Sequence, residues 1–203
     1  IMCRERQKIL VIREYVSSFT QATIITSEKA DDIRAALVML TQDLAPLDGP
    51  PIIVRSDNAP GFRSLVDDRY LKNRRIHLDL GRIKNINKNP VAERAIQELE
   101  HEILRVVQSA GPVTPLTLQE AVASLNRRIR SDGLSAREIL LQRDQYTGEQ
   151  IPLNDRSIIV AKHNRALRNH KSSEISKAGS APVHPTPNII VGDLVYVYTD
   201  RDK

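Results

Sequence analysis

The chain has 203 residues, 40 % of them apolar and 27 % charged, and no apolar run approaches the ~20 residues that a membrane-spanning helix needs. That length fits one domain and part of a second. Wholesale disorder and a membrane span are excluded, as are an internal disulfide framework and a cysteine-rich zinc site, since Cys3 is the only cysteine. The net charge of +5 is uneven: from Arg156 to Lys177 six Lys/Arg stand against one acid, Glu174, so this stretch holds the whole excess. Such a segment suits a polyanion such as nucleic acid, or is a solvated linker. Aromatic residues are 3 % of the chain and Trp is absent, so the core must be aliphatic.

Ile9 to Ile12 form a continuous apolar run and Thr20 to Ile25 a second β-prone run, with Val16, Ser17 and Ser18 between them as a turn. This predicts a hairpin whose first strand is buried on both faces. Ser27 is the expected cap of a helix carrying Ile33, Leu37, Leu40 and Leu44 on one face. Pro46 to Pro51 break it, and Pro51 to Val54 read as a short buried strand. A polar turn, Arg55 to Phe62, leads into a short helix carrying Leu65 and Val66, then a strand over Ile76 to Leu80.

Gly81 to Asn89 is a polar loop rich in Asn and Lys. Asn89-Pro90 starts a helix, Asn as cap and Pro in the first turn. Its core stripe is Ala92, Ala95, Ile96, Leu99, Ile103 and Val106, and Gly111-Pro112 ends it. Thr117 to Glu120 has the capping-box pattern, followed by Leu118, Val122, Leu125 and Ile129 as a helical face. Ser135 to Glu138 repeats that pattern ahead of a short helix through Leu141. The order gives an α/β fold with a mixed sheet. Residues 172–188 read as a Ser/Pro/Ala-rich linker, and a new β pattern runs from Ile189 to Tyr198.

Two acids stand out by position. Asp57 follows the end of a strand, and Glu93 sits in the first turn of a capped helix, 35 residues lying between them. Open α/β sheets place their working groups at such strand ends. Carboxylates there can share divalent ions that assist phosphoryl transfer, and their hard oxygens suit Mg²⁺ or Mn²⁺. Taken singly, an Asp before Asn is ordinarily a turn former, and a Glu in a first turn complements the helix dipole.

The flanking residues add a resemblance. Val54-Arg-Ser-Asp-Asn-Ala-Pro-Gly-Phe62 resembles the second-Asp motif of retroviral and LTR-retrotransposon integrases, and Asn87-Lys-Asn-Pro-Val-Ala-Glu-Arg-Ala-Ile-Gln-Glu-Leu99 resembles their third-acid motif. The 35-residue gap matches the spacing in the family's signature. Lys8 to Phe19 is similar to the opening strand pair of that core, Ser135 to Leu140 to its closing helix, and Ile189 to Tyr198 to the start of an SH3-like domain. The flavour is that of gypsy-like or BEL/Pao-like elements.

The resemblance implies an RNase H-like three-layer fold with a mixed five-stranded sheet flanked by helices. A basic linker and the start of an SH3-like β-barrel would follow. The implied divisions are 1–143 for the core, 144–188 for the basic helical segment and linker, and 189–203 for the incomplete C-terminal domain. The implied activity is metal-dependent 3′-end processing and strand transfer, with Asp57 and Glu93 as second and third ligands of a two-metal Mg²⁺ or Mn²⁺ site. Asn58 would lie beside the site, and Asn87, Lys88 and Asn89 would line a loop facing the DNA end. Arg94, His101 and Arg105 would meet phosphates or simply be solvated, and Lys162, Arg165 and Arg168 would contribute a sequence-independent DNA contact. Element ends and target DNA are the implied partners, with a homo-oligomer, no membrane, and a nuclear or cytoplasmic nucleoprotein complex rather than secretion.

Two departures stand against the family pattern. No Asp precedes Asp31, so the first catalytic Asp is expected at or just before Ile1, in a longer parent protein, leaving this chain alone inactive. Glu5 falls in a turn and Glu14 near a strand end, neither a replacement. The five histidines, His77, His101, His163, His170 and His184, with Cys3, cannot make the family's zinc module, so zinc is not expected in this fragment. The alternative is a decayed or domesticated integrase serving as a non-catalytic DNA-binding or interaction module; an RNase H-like nuclease of another family is a third reading.

Overall fold

In a computed structural model, residues 1–4, 6–44, 50–81, 89–107 and 112–177 are described, apart from the side chains of 43 and 169–177. They form two units, Ile1–His163 and Asn164–Lys203, the second described only over its first helical residues. The Pro46 break, the Gly111 helix end, Glu5, Asn87, Lys88, His184, linker residues 178–188 and the β pattern of Ile189 to Tyr198 lie outside the described residues, as does the His170 side chain. Among the described residues no helix is long and apolar enough to cross a membrane.

The first unit is built on an antiparallel sheet of β1 (Met2–Arg4), β2 (Gln7–Arg13) and β3 (Thr20–Ile25), in that order. The predicted hairpin is β2–β3, Lys8 pairing with Ile25 and Arg13 with Thr20. Its apolar run is continuous because the sheet is covered on both sides. Ile9 and Ala22 join one core with Leu99, Ile103, Leu118 and Leu125, whereas Leu10 and Ile25 join another with Ile33, Leu37, Phe62 and Leu71. Alternate residues of one strand thus serve opposite layers.

One layer is α1 (Ala30–Thr41) with the short helices α2 (Pro60–Arg63) and α3 (Arg69–Asn73). The other is α4 (Pro90–Val106) with α5 (Pro115–Arg127). A smaller cluster forms where Ile158 and Ile159, in the long helix α7 (Leu153–Lys177), pack on Leu134, Ile139 of α6 (Ala136–Leu141) and Ile151. Helix α7 covers the basic stretch and continues to Lys177, so residues 172–177 are helix rather than linker.

The strands differ from one expectation. β4 (Ile52–Ser56) and β5 (Ile76–Leu80) form a separate parallel pair, Ile52 opposite Ile76, so the five strands make two sheets rather than one among the described residues. β1 has only three residues and pairs with β2 alone, leaving no ladder to β4. Nor is β4 a buried strand: Ile53 is 54 % exposed.

Three boundaries also shift. The N-cap of α1 is Lys29, not Ser27, whose hydroxyl instead accepts from the Lys29 N–H (3.2 Å) and donates to Asp32 (2.7 Å). The cap of α5 is Thr114, which accepts from the Thr117 N–H at 3.1 Å. Pro115 in its first turn wins the earlier start, because a ring without N–H costs nothing there. Ile129 lies past the end of α5 and is 52 % exposed. Leu65 and Val66 sit in the turns between α2 and α3 rather than in a helix, though Leu65 is fully packed. The Asn89 cap and the Ser135–Glu138 capping box form as predicted.

Candidate active site

Asp57 stands one residue past β4, where the parallel pairing ends with the Gly81 N–H donating to the Ser56 carbonyl at 2.8 Å. Among the described residues its exposed carboxylate accepts from the Ala59 N–H, at 3.3 Å, a turn-closing contact. Pro60 then starts α2, and Phe62 buries itself in the second core. Asn58 is held by Arg63, whose Nε donates to Asn58 Oδ1 at 3.0 Å and Nη2 to the Asn58 carbonyl at 3.2 Å.

Glu93 projects from the first turn of α4 and is exposed, with no ion pair among the described residues. The two acids are tied through Asn89. Its Oδ1 accepts from the Ala92 N–H at 3.2 Å, capping α4, and its Nδ2 donates to the Arg55 carbonyl on β4 at 2.9 Å. The orientation of this amide is forced, since a carbonyl can only accept and a backbone N–H can only donate. The neighbouring Arg55 side chain pairs with Asp79 on β5 at 3.4 Å.

Behind the site α4 is anchored by two carboxylates. Glu98 meets Arg13 at 2.6 Å, Arg94 at 3.5 Å and Arg130 at 3.6 Å. Glu102, buried to 2 % exposure, accepts from Arg105 (3.1 Å), Arg128 (3.2 Å) and Ser124 (3.1 Å). Arg94 and Arg105, expected to meet phosphates or to be solvated, are partly committed to the helix's own acids, while their side chains stay 77 % and 68 % exposed. His101 is exposed. On α7, Lys162 is paired with Asp132, whereas Arg165 and Arg168 are exposed and form no ion pair among the described residues.

Sequence reasoning missed Arg13, Arg63, Glu98 and Arg130. Glu98 lies within the third-acid motif and Arg13 within the opening strand pair, but nothing local marks them as partners, since their contact spans 85 positions. Glu14, placed near a strand end, accepts from the Val16 and Ser17 N–H groups (3.0 and 2.5 Å) and closes the β2–β3 turn, so it is spent structurally.

As a donor set, Asp57 and Glu93 supply hard, solvent-facing oxygens with no cation partner among the described residues, which fits ligation of Mg²⁺ or Mn²⁺. Among the described residues they belong to no group of three or more potential metal-ligating side chains. They fit as two members of a ligand set rather than as a whole one.

No family model matches the sequence, and no curated protein matches it. A solved structure does: the catalytic core domain of BIV integrase, at 25 % identity and a TM-score of 0.56, over 70 % of this chain and 90 % of that one. The architecture described above is thus a mixed α/β arrangement similar to a retroviral integrase catalytic core, the RNase H-like fold.

Proposed function

We propose that this chain is the catalytic core of a retroelement integrase, of gypsy-like or BEL/Pao-like type, acting in 3′-end processing and strand transfer of element DNA into target DNA. The observation that carries the reading is the tie between strand β4 and helix α4, which sets Asp57 and Glu93 on adjoining elements in a fold similar to an integrase core. Bound divalent ions would supply activation of the attacking oxygen and stabilisation of the leaving one. The chain's own part is to hold two carboxylates toward solvent, one just past the end of β4 and one in the first turn of α4. Element ends and target DNA are the proposed partners, with a homo-oligomer as the working form.

The test is a strand-transfer assay on an oligonucleotide duplex with Mn²⁺, alongside Mn²⁺ titration, using this chain with an aspartate added ahead of Ile1. Metal-dependent joining is expected, with a 10³-fold or greater loss in Asp57→Asn and in Glu93→Gln, since losing metal-borne catalysis forfeits several kcal/mol of barrier lowering. Retained joining in both variants, or unchanged metal affinity when the aspartate is added, would overturn the assignment. DNA binding without any joining would favour the decayed or domesticated module.

DNA affinity gives a second test. Arg165→Gln with Arg168→Gln is expected to make the slope of log affinity against log salt shallower by ~1.8, at roughly 0.9 per duplex phosphate contact. Lys162 is left out because Asp132 already neutralises it. An unchanged slope would reduce α7 to a solvated helix.

A further inference from the structure

Asn89 is placed to do more than cap a helix. Its backbone carbonyl accepts from the Glu93 N–H at 3.0 Å, its Oδ1 from the Ala92 N–H at 3.2 Å, and its Nδ2 reaches the Arg55 carbonyl at 2.9 Å. Arg55 lies within β4, two residues before Asp57, which follows the end of the strand. Among the described residues, this one side chain therefore bonds to both acid-bearing segments. Each end of its amide makes one bond within the protein, which fixes the orientation of the side chain.

We propose that Asn89 is a positioning residue that sets the separation of Asp57 and Glu93 and so their shared affinity for a divalent cation. This rests on the reading of those acids as metal ligands. Partners that orient ligands without touching the metal typically govern affinity by roughly 10–100-fold. The Asn89–Arg55 bond is solvent-exposed, so the low end of that range applies. A residue that merely capped α4 would be replaceable by any other good cap.

That difference supplies the experiment. Serine caps helices about as well as asparagine, but it is too short to bond Arg55 while doing so, and it changes no charge. Mn²⁺ is titrated into the ¹⁵N-labelled full chain carrying the added aspartate ahead of Ile1, following paramagnetic broadening of the Asp57 and Glu93 amide signals, for this protein, taken as wild type, and for its Asn89→Ser variant. The variant is expected to keep the Ala92 amide protected, to shift the Val54–Asp57 amides, and to need about tenfold more Mn²⁺ for the same broadening. Equal Mn²⁺ dependence in the two proteins, or unmoved Val54–Asp57 amides, would overturn the inference. A wild type showing no broadening at Asp57 or Glu93 would instead overturn the metal-ligand reading, and the positioning role with it. Asn89→Ala, which removes cap and strut together, is expected to lose both Ala92 protection and metal affinity.

Discussion

Glu98→Ala is expected to lower the unfolding free energy by about 3–5 kcal/mol, the cost of leaving a buried charge without its partner. The partner decides the size. Arg13 extends from the end of β2 with its side chain only 4 % exposed, and Glu98 meets it at 2.6 Å. With Glu98 gone, the guanidinium keeps its burial and loses its carboxylate. Glu102→Ala removes an acid that is itself more deeply buried, yet its partners Arg105 and Arg128 are 68 % and 41 % exposed and can return to water. Its cost is correspondingly lower, roughly 1.5–3 kcal/mol, the worth of hydrogen bonds to a charged group. Urea unfolding of both variants checks the order; an equal loss would mean that burial of the acid, not of its partner, dominates.

The same pair predicts an acid limb. Burial pushes the Glu98 carboxyl up, but the hydrogen bond and charge of Arg13, aided by Arg130 and Arg128, push it down by more, so it lies below its ordinary value of 4.5. On the Arg13 side, burial, joined by the like charges of Arg130 and Arg94, pulls down by more than Glu98 returns, yet a guanidinium starts so high that it stays charged. A carboxyl with a depressed folded pKa contributes its full stability above the unfolded value, and loses it as pH falls through the folded one. Wild type should therefore lose stability below pH 4.5 more steeply than Glu98→Gln.

Periodic features of this fold were legible in the sequence, and one-off contacts were not. Ile9 to Ile12 announced a doubly covered strand because every residue of it had to be apolar, and the cores on either side of the sheet bear this out. Asn89-Pro90 and Ser135–Glu138 were readable because capping is local chemistry within four residues. The Thr114 cap carried a signal too, in the proline after it, which outranks the Thr117 pattern. By contrast, Asn126 pairs its amide with both backbone groups of Thr20 (2.8 and 2.7 Å), and Gln7 does the same for Val113 (2.7 and 3.0 Å), each across 106 positions. A lone Asn or Gln has no period, so nothing in the sequence distinguishes it from a surface amide. The candidate site shows the same divide. The positions of Asp57 and Glu93 followed from element ends, but the reach of Asn89 to Arg55 depends on how β4 and α4 pack.

Gly61→Ala is expected to destabilise the protein by about 3 kcal/mol, the upper end of the cost of forcing extra atoms into a packed site. The sign runs against the ordinary rule. Gly61 lies inside α2 without a left-handed backbone, and alanine in a helix interior is usually worth roughly 0.5–1 kcal/mol more than glycine. Space reverses it. A Cβ at this position would fall 2.3 Å from the Glu28 carbonyl oxygen and 2.6 Å from Ile33 Cδ1. The isoleucine can rotate away, but the carbonyl is main chain at the entry to α1, so one of the two helices must move. α2 begins three residues after Asp57, and Phe62 pins it in the core, so the movement is passed to the Asp57 loop. Gly133 provides the contrast. A Cβ there would meet nothing within 4 Å, and only its φ of +81° opposes a side chain, a strain of about 1–2 kcal/mol. Gly61→Ala should thus lower the urea midpoint more than Gly133→Ala and shift the Asp57 and Asn58 amide signals, which Gly133→Ala leaves in place. A stabilised Gly61→Ala would show that α1 and α2 do not touch so closely in solution, and that the glycine in this motif serves something other than their approach.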